Sequence, residues 1–109
     1  KQAKSGVLTL FCTHTSCALL LAESYEDSAA VDMQAFLQHL APRDLPFITH
    51  RTEGPDDSPS HMKAMLLQTS LQLLVEEGEI LMGGWQGLFL AEFRDAPRKR
   101  TLLLKYQAD

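Results

Sequence analysis

The chain has 109 residues, a length that fits one domain and leaves no room for a second. Hydrophobic residues make up 45% and charged residues 22%, the composition of a chain that buries a core. The formal net charge of -4 argues against a nucleic-acid partner, which draws on clustered Lys and Arg, and no apolar run reaches the roughly 18 to 20 residues of a membrane helix.

The opening, residues 1–6, is polar and carries no signal-peptide pattern. It begins on Lys1 and leads straight into what reads as an interior strand, as numbering that starts inside a longer chain would. That strand is expected over residues 6–13, where Val7, Leu8, Leu10 and Phe11 are apolar and Thr9 suits a pleated surface. His14-Thr15-Ser16 is a polar break. Residues 17–22 form a continuous apolar run, expected as a strand buried on both faces.

Residues 24–40 predict a helix. Ser24 is its candidate N-cap, and Asp27 three residues on completes a variant of the capping box. Glu26 and Asp27 fall in the first turn, where the helix dipole favours negative charge. Ala30, Met33, Leu37 and Leu40 recur at helical spacing as one apolar stripe, and Pro42 ends the helix. Residues 43–58 are loop-like, a long aperiodic stretch of the kind that often carries function.

A short second helix follows, with Asp57 or Ser58 as cap and Pro59 in the first turn, where no backbone N–H is needed. His61, Ala64 and Met65 share one of its faces. Residues 71–75 read as a strand, 76–79 as a turn and 80–82 as extended chain before the break at Gly83-Gly84. Residues 87–93 and 101–106 read as the last two strands, expected to pair as a hairpin around the turn at 95–99. The fold class that follows is α+β, a mixed or antiparallel sandwich-like sheet packed with two helices.

The two cysteines, Cys12 and Cys17, are not spaced C-x-x-C and make no disulfide framework. They read as reduced, buried residues of a cytoplasmic protein, although a strand ending at Cys12 and a turn before Cys17 would allow a bond. The basic residues Arg94, Arg98, Lys99 and Arg100 read as a solvated loop between strands.

Four histidines occur, His14, His39, His50 and His61. His39 lies beside the helical stripe and reads as a surface or boundary residue. The other three sit where backbone regularity changes: His14 ends a strand, His50 is in the long loop, and His61 is in the first turn of the short helix. Imidazole is the commonest protein ligand for zinc-like metals, and three of them leave a fourth position for water, the pattern of a catalytic site. Their spacing matches no local motif such as H-E-x-x-H, so hydrogen-bonded histidines at strand and helix ends are the other reading.

Glu53, Asp56 and Asp57 crowd a Gly-Pro turn. Like charges this close need a cation or hydrogen-bond donors, although Asp also serves turns and helix starts. Lys63, Arg94 and the helix N-terminus near Ser58 are candidates for holding a phosphate. Gly83-Gly84-Trp85-Gln86-Gly87 matches neither a Walker loop nor a dinucleotide fingerprint, and Trp85 reads as a stacking wall for a ring or as a core anchor. Thr13, Thr15 and Ser16 flank His14, but neighbours in sequence rarely form a nucleophile–base pair, and no G-x-S-x-G elbow is present.

Three blocks now stand in order: His14-Thr15-Ser16-Cys17-Ala18-Leu19 with Glu23 following; His50-Arg51-Thr52-Glu53-Gly54-Pro55-Asp56-Asp57-Ser58-Pro59-Ser60-His61-Met62-Lys63; and Gly83-Gly84-Trp85-Gln86-Gly87 through Glu92 and Arg94. Together they resemble the signature of the YjbQ family, the secondary thiamine-phosphate synthase family, over nearly the whole chain. His14, His50, His61, Glu53, Asp56, Asp57, Lys63, Trp85, Gln86, Glu92 and Arg94 fall on the family's motif positions. The departures are Gly84 where threonine is common, Ser58 and Ser60 for Met and Ala, Cys17 for a smaller residue, and Ser24 after Glu23 where Asn or Asp is more usual.

The resemblance implies a compact α+β sandwich, assembly as a homotrimer and a further strand or two before Gly6. It also implies an activity that joins a pyrimidine diphosphate to a thiazole phosphate. The expectation for residues 1–109 is therefore a single YjbQ-like domain acting as a metal-dependent enzyme on a small phosphorylated molecule. His14, His50 and His61 would hold a divalent metal, zinc or magnesium. Glu53, Asp56, Asp57, Lys63 and Arg94 would be catalytic, with Lys63 and Arg94 neutralising phosphate. Thr15, Ser16, Trp85, Gln86 and Glu92 would line the same polar pocket. No nucleic acid or membrane is expected as a partner. The rival expectations are a non-enzymatic trimeric module that binds a metal or small anion, and a metal-dependent phosphate-ester hydrolase.

Overall fold

Strand β1 (Gly6–Cys12) is the hub of the larger sheet, because Leu8, Leu10 and Cys12 alternate onto one face and find apolar partners on both sides. The computed structural model describes residues 4–109, and the polar opening before Lys4 lies outside them. The remaining elements are β2 (Cys17–Glu23), α1 (Asp27–Leu40), α2 (Asp57–Leu66), β3 (Ser70–Glu76), β4 (Glu79–Ile80), β5 (Gln86–Glu92) and β6 (Leu102–Ala108).

β1 pairs antiparallel with β3, placing Leu10 opposite Leu71, and antiparallel with β6, placing Cys12 opposite Leu102. The four-stranded order is β4-β3-β1-β6, while β2 and β5 form a separate antiparallel pair. Leu10, Cys12, Cys17, Leu19 and Leu73 make the buried cluster, with Leu8, Leu21, Leu71 and Leu102 packed on it. These residues come from both sheets, so the core is the layer between them. Two helices with antiparallel sheets are the α+β class that the alternating strands and capped helices predict. No helix among the described residues is long and apolar enough to cross a membrane.

The expected hairpin of the last two strands does not form. β5 pairs with β2, and β6 pairs with β1. β6 must present Leu102 and Tyr106 opposite Cys12 and Leu8 of β1, so residues 93–101 pass from one sheet to the other instead of turning back tightly. The long helix also starts later than expected. Ser24 does not cap it: its N–H donates to the Trp85 carbonyl at 2.9 Å and prolongs the β2–β5 ladder, and Glu26 at the N-cap position makes no side-chain cap bond. No residue of α1 is fully buried: Ala30, Met33 and Leu37 of the predicted stripe are half-buried and Leu40 is exposed, as are Val31 and Phe36 outside the stripe. Of the extended chain expected at 80–82 only Ile80 lies in a strand, β4, which it shares with Glu79 from the expected turn.

Helix α2 begins at Asp57, and Pro59 occupies its first turn as the missing N–H predicts. Neither Asp56 nor Asp57 caps it through its side chain. Both carboxylates are turned towards partners outside the helix start. Gly54, in the left-handed region at φ +107, makes the bend that brings the preceding loop back onto the helix start.

Candidate metal centre

Asp57 and His61 are spaced four residues apart on α2, which stacks them on one face of the helix. The loop before Gly54 carries His50 to the same point. Asp57 Oδ2 lies 2.8 Å from His50 Nε2 and 3.0 Å from His61 Nε2, and the two imidazole rings are 5.4 Å apart between centroids. Among the described residues, His50, Asp57 and His61 are the one group of such side chains whose ligand atoms all lie within 4.8 Å of one another.

Behind the cluster stands Arg94, at the exit of β5. Its Nη1 donates to Asp57 Oδ1 at 2.9 Å, its Nε to Asp56 Oδ2 at 2.9 Å, and its Nη2 to the Glu53 carbonyl at 2.9 Å. The Asp95 N–H adds a bond to Asp56 Oδ2 at 2.9 Å. One planar guanidinium thus resolves the crowding of two neighbouring buried carboxylates. It holds the Asp56 carboxyl down at about 2, helped by the Asp95 N–H and opposed by burial. For Asp57, burial pulls upward, but the bonds from His50 and His61 and the charge of Arg94 outweigh it and lower the value. Asp57 is therefore an anion with one oxygen fixed by Arg94 and the other aimed between two imidazoles.

His61 shows what that aim is suited to. Its Nδ1 lies 2.8 Å from the Thr15 carbonyl oxygen, and its Nε2 faces the Asp57 carboxylate at 3.0 Å. Both neighbours are acceptors. A neutral imidazole carries a single N–H, so one nitrogen must either take an extra proton or face a cation. A carbonyl that fixes Nδ1–H while Nε2 points at a ligand-atom cluster is the usual support of a metal-bound histidine.

The expected site residues are brought together only in part. His14 is not in the cluster. Its Nε2 accepts the Thr101 N–H at 2.8 Å, so that lone pair is already used. Asp57 takes the third position instead of His14. Ser16 is buried and accepts from Arg100 Nη2 at 2.9 Å, and Thr15 contributes its carbonyl rather than its hydroxyl. The Glu53 carboxylate lies on an exposed residue, and its carbonyl is what meets Arg94. Arg94 is bonded to two carboxylates and a carbonyl, so its charge is already paired and it braces Asp57.

Lys63 points away from the histidines. It is buried, donates to Gln38 Oε1 at 2.9 Å and stands 5.8 Å from the Phe93 ring centre. Burial, then the charge of Arg43, lowers its affinity for the proton. The single polar pocket of the sequence reading is two cavities, each of about 530 Å³. One lies between α1 and β5 and contains Lys63, Glu92 and Arg94; the other contains His14, Thr15, His61 and both cysteines.

Trp85 and Gln86 sit at the opposite end of β5 from Glu92, a strand length of about 20 Å away. Trp85 is 62% exposed and packs edge-on against Tyr25 at 4.6 Å, and Gln86 Oε1 accepts the Gly83 N–H at 2.9 Å. Trp85 is thus neither a core anchor nor a wall of either cavity. Arg100 was not expected near a site. It binds Glu92 through Nε at 2.6 Å and clamps the Ser16 carbonyl, and no pattern around it in sequence distinguishes it from its basic neighbours. His39 is exposed, as expected.

Comparisons with known proteins give the chain a family and a set of solved relatives. The family profile described as UPF0047 protein YjbQ-like matches residues 1–109. The chain is 38% identical over 104 residues to the UPF0047 protein YjbQ of Escherichia coli O157:H7, covering 95% of this chain and 75% of that protein. It is 36% identical over 101 residues to the UPF0047 protein sll1880 of Synechocystis, covering 93% of this chain and 69% of that protein. Among solved structures it is similar to a conserved hypothetical protein of Thermus thermophilus, with a TM-score of 0.87 at 38% identity over 97% of this chain and 81% of that one. A YjbQ/UPF0047-family protein of Clostridium acetobutylicum is similar with a TM-score of 0.83 at 30% identity, over 95% of this chain and 77% of that one.

Proposed function

The chain belongs to the YjbQ/UPF0047 family, and from that premise we propose that it is a metal-dependent enzyme acting on a small phosphorylated molecule, with His50, Asp57 and His61 as the metal ligands. The observation that carries this reading is His61 held between two acceptors, with Nε2 directed at the Asp57 carboxylate. Two imidazoles and one carboxylate suit a zinc-like ion, whereas magnesium prefers an oxygen shell. When bound, such an ion supplies positive charge against a departing or transferring phosphate and leaves coordination positions open for substrate or water.

The protein's own groups have separate tasks in this reading. Thr15 fixes the His61 ring through its carbonyl, and Arg94 fixes the carboxylate of Asp57 through Oδ1. The cavity past His61 and His14 receives the substrate. The family resemblance favours union of a pyrimidine diphosphate with a thiazole phosphate, in which diphosphate leaves and the thiazole nitrogen attacks. Such a step relies on electrostatic preorganisation more than on proton transfer.

We hold the working unit to be a homotrimer, as the resemblance implies. The exposed Phe11, Leu74 and Leu103 on strands of the four-stranded sheet are apolar surface of the kind that subunit contacts cover. The test is metal content and zinc titration of the wild-type protein, His50→Ala and Asp57→Asn, with circular dichroism as the folding control. Loss of metal from both variants with the fold retained supports a functional centre. Wild-type protein that binds no zinc contradicts it. Zinc-loaded protein that forms no thiamine phosphate from the two precursors and cleaves no phosphate ester contradicts the enzymatic part.

A further inference from the structure

Cys12 closes β1 and Cys17 opens β2, and their Sγ atoms stand 3.5 Å apart as free thiols. Each residue is only 2% exposed, yet both line the cavity that also holds His14, Thr15 and His61. A small solute in that cavity lies against both cysteines. The segment between the two cysteines is the one whose Thr15 carbonyl meets His61 Nδ1 at 2.8 Å and whose His14 accepts the Thr101 N–H at 2.8 Å.

We propose that Cys12 and Cys17 are a reversible thiol–disulfide pair, oxidised by hydrogen peroxide that enters the cavity, and that forming the bond changes the hold of the Thr15 carbonyl on His61. In the first step one thiol sulfur attacks the peroxide: an S–O bond forms, the O–O bond breaks, and one water leaves with the thiol proton. In the second step the other sulfur attacks that sulfenic acid: the S–S bond forms, the S–O bond breaks, and a second water leaves. The two thiols give up two electrons and two protons in all, and the peroxide takes them.

The sulfurs must close from 3.5 Å to the covalent length of about 2.05 Å. The flanking strands are anchored, β1 by the bond from Cys12 N–H to the Thr69 carbonyl at 2.8 Å and β2 by its ladder to β5. Cys12 and Cys17 directly bound residues 13–16, so the adjustment that joins the sulfurs is passed to the segment that carries Thr15. Burial, reinforced by Cys12, pushes the Cys17 thiol up to about 11, so the reaction is slow at neutral pH and excess peroxide is the suitable probe. The thiol chemistry does not depend on the metal-centre reading, and its consequence is read directly on the His61 ring.

The experiment treats the protein as purified with excess hydrogen peroxide, then with dithiothreitol. It follows intact mass, thiols titrated after denaturation, and the ¹H–¹⁵N signals of the His61 ring, assigned by their loss in His61→Gln. The expected result is a mass decrease of about 2 Da, loss of both thiols, a shift of the His61 signals and full reversal on reduction. Cys12→Ala and Cys17→Ala should each show no such mass decrease. Protein that keeps both thiols, or that only gains oxygen, overturns the pair. A disulfide form with unmoved His61 signals overturns the coupling. If the thiols behave as expected in a protein that binds no zinc, the metal reading fails and this one stands.

Discussion

Arg94 and Asp57 are joined by a single bond, Nη1 to Oδ1 at 2.9 Å, that leaves the second Asp57 oxygen to two histidines. The same guanidinium reaches Asp56 through Nε, so its planar fork sets the angle of both carboxylates at once. A point charge does not reproduce that fork. Arg94→Lys is therefore expected to keep the charge but lower zinc affinity by about 10–100-fold, the usual cost of losing a partner that orients a metal ligand. Competition with a chromogenic chelator measures it. Equal affinity in the variant would mean that Asp57 does not need its brace.

Acid should weaken the fold through Asp56. Its carboxyl is held at about 2, chiefly by Arg94 and then by the Asp95 N–H, whereas an unfolded aspartate titrates near about 3.9. A depressed folded value stabilises the protein fully above the unfolded one, and that stability disappears as pH falls through the folded one. Thermal midpoints should drop between about pH 4 and pH 2, and Asp56→Asn should flatten this part of the profile. Melts at closely spaced pH values decide the matter. A wild-type slope no steeper than that of Asp56→Asn speaks against the assignment.

Leu19 is 1% exposed in the cluster between the sheets, and its N–H and carbonyl also bond Gln68 at 2.8 and 3.0 Å. Leu19→Ala removes packing without touching those backbone bonds. The expected loss is about 2–5 kcal/mol of unfolding free energy, from the lost burial and the cavity left behind. Urea denaturation measures it. A loss under about 1 kcal/mol would show that the core collapses around the gap.

Light scattering on a sizing column tests the assembly. The chain mass is 12.2 kDa, and the expected species is a trimer of it. Phe11 is 44% exposed and Leu103 is 55% exposed, facing each other across β1 and β6. Phe11→Asp with Leu103→Asp should shift the protein to monomer if this surface is the contact. A wild-type monomer, or a trimer indifferent to both changes, contradicts the proposal.

Much of the site was legible along the chain. Pro59 and the acidic start marked α2, but the Asp57–His61 spacing went unread, because Asp57 reads as a cap or as part of the acidic turn. The crowding of Asp56 and Asp57 already called for a cation or hydrogen-bond donors, and Arg94 supplies them. His14 misled, because a histidine at a strand end looks the same whether its lone pair is open or taken by a backbone N–H far along the chain. Trp85 misled in another way: a glycine-rich setting is equally compatible with a cavity wall and with an exposed strand entrance packed on Tyr25.

Periodicity and the chemistry of helix starts act between near neighbours, so the strands and the second helix could be read from residue order. Partner choice does not work that way. β5 joins β2 instead of β6, and Arg94 meets carboxylates 37 and 38 residues earlier, because burial of apolar faces brings those segments together. The groups that His61 and His14 meet are the Thr15 carbonyl and the Thr101 N–H. Every residue type has that carbonyl and nearly every one that N–H, so folding alone selects which of them a histidine meets.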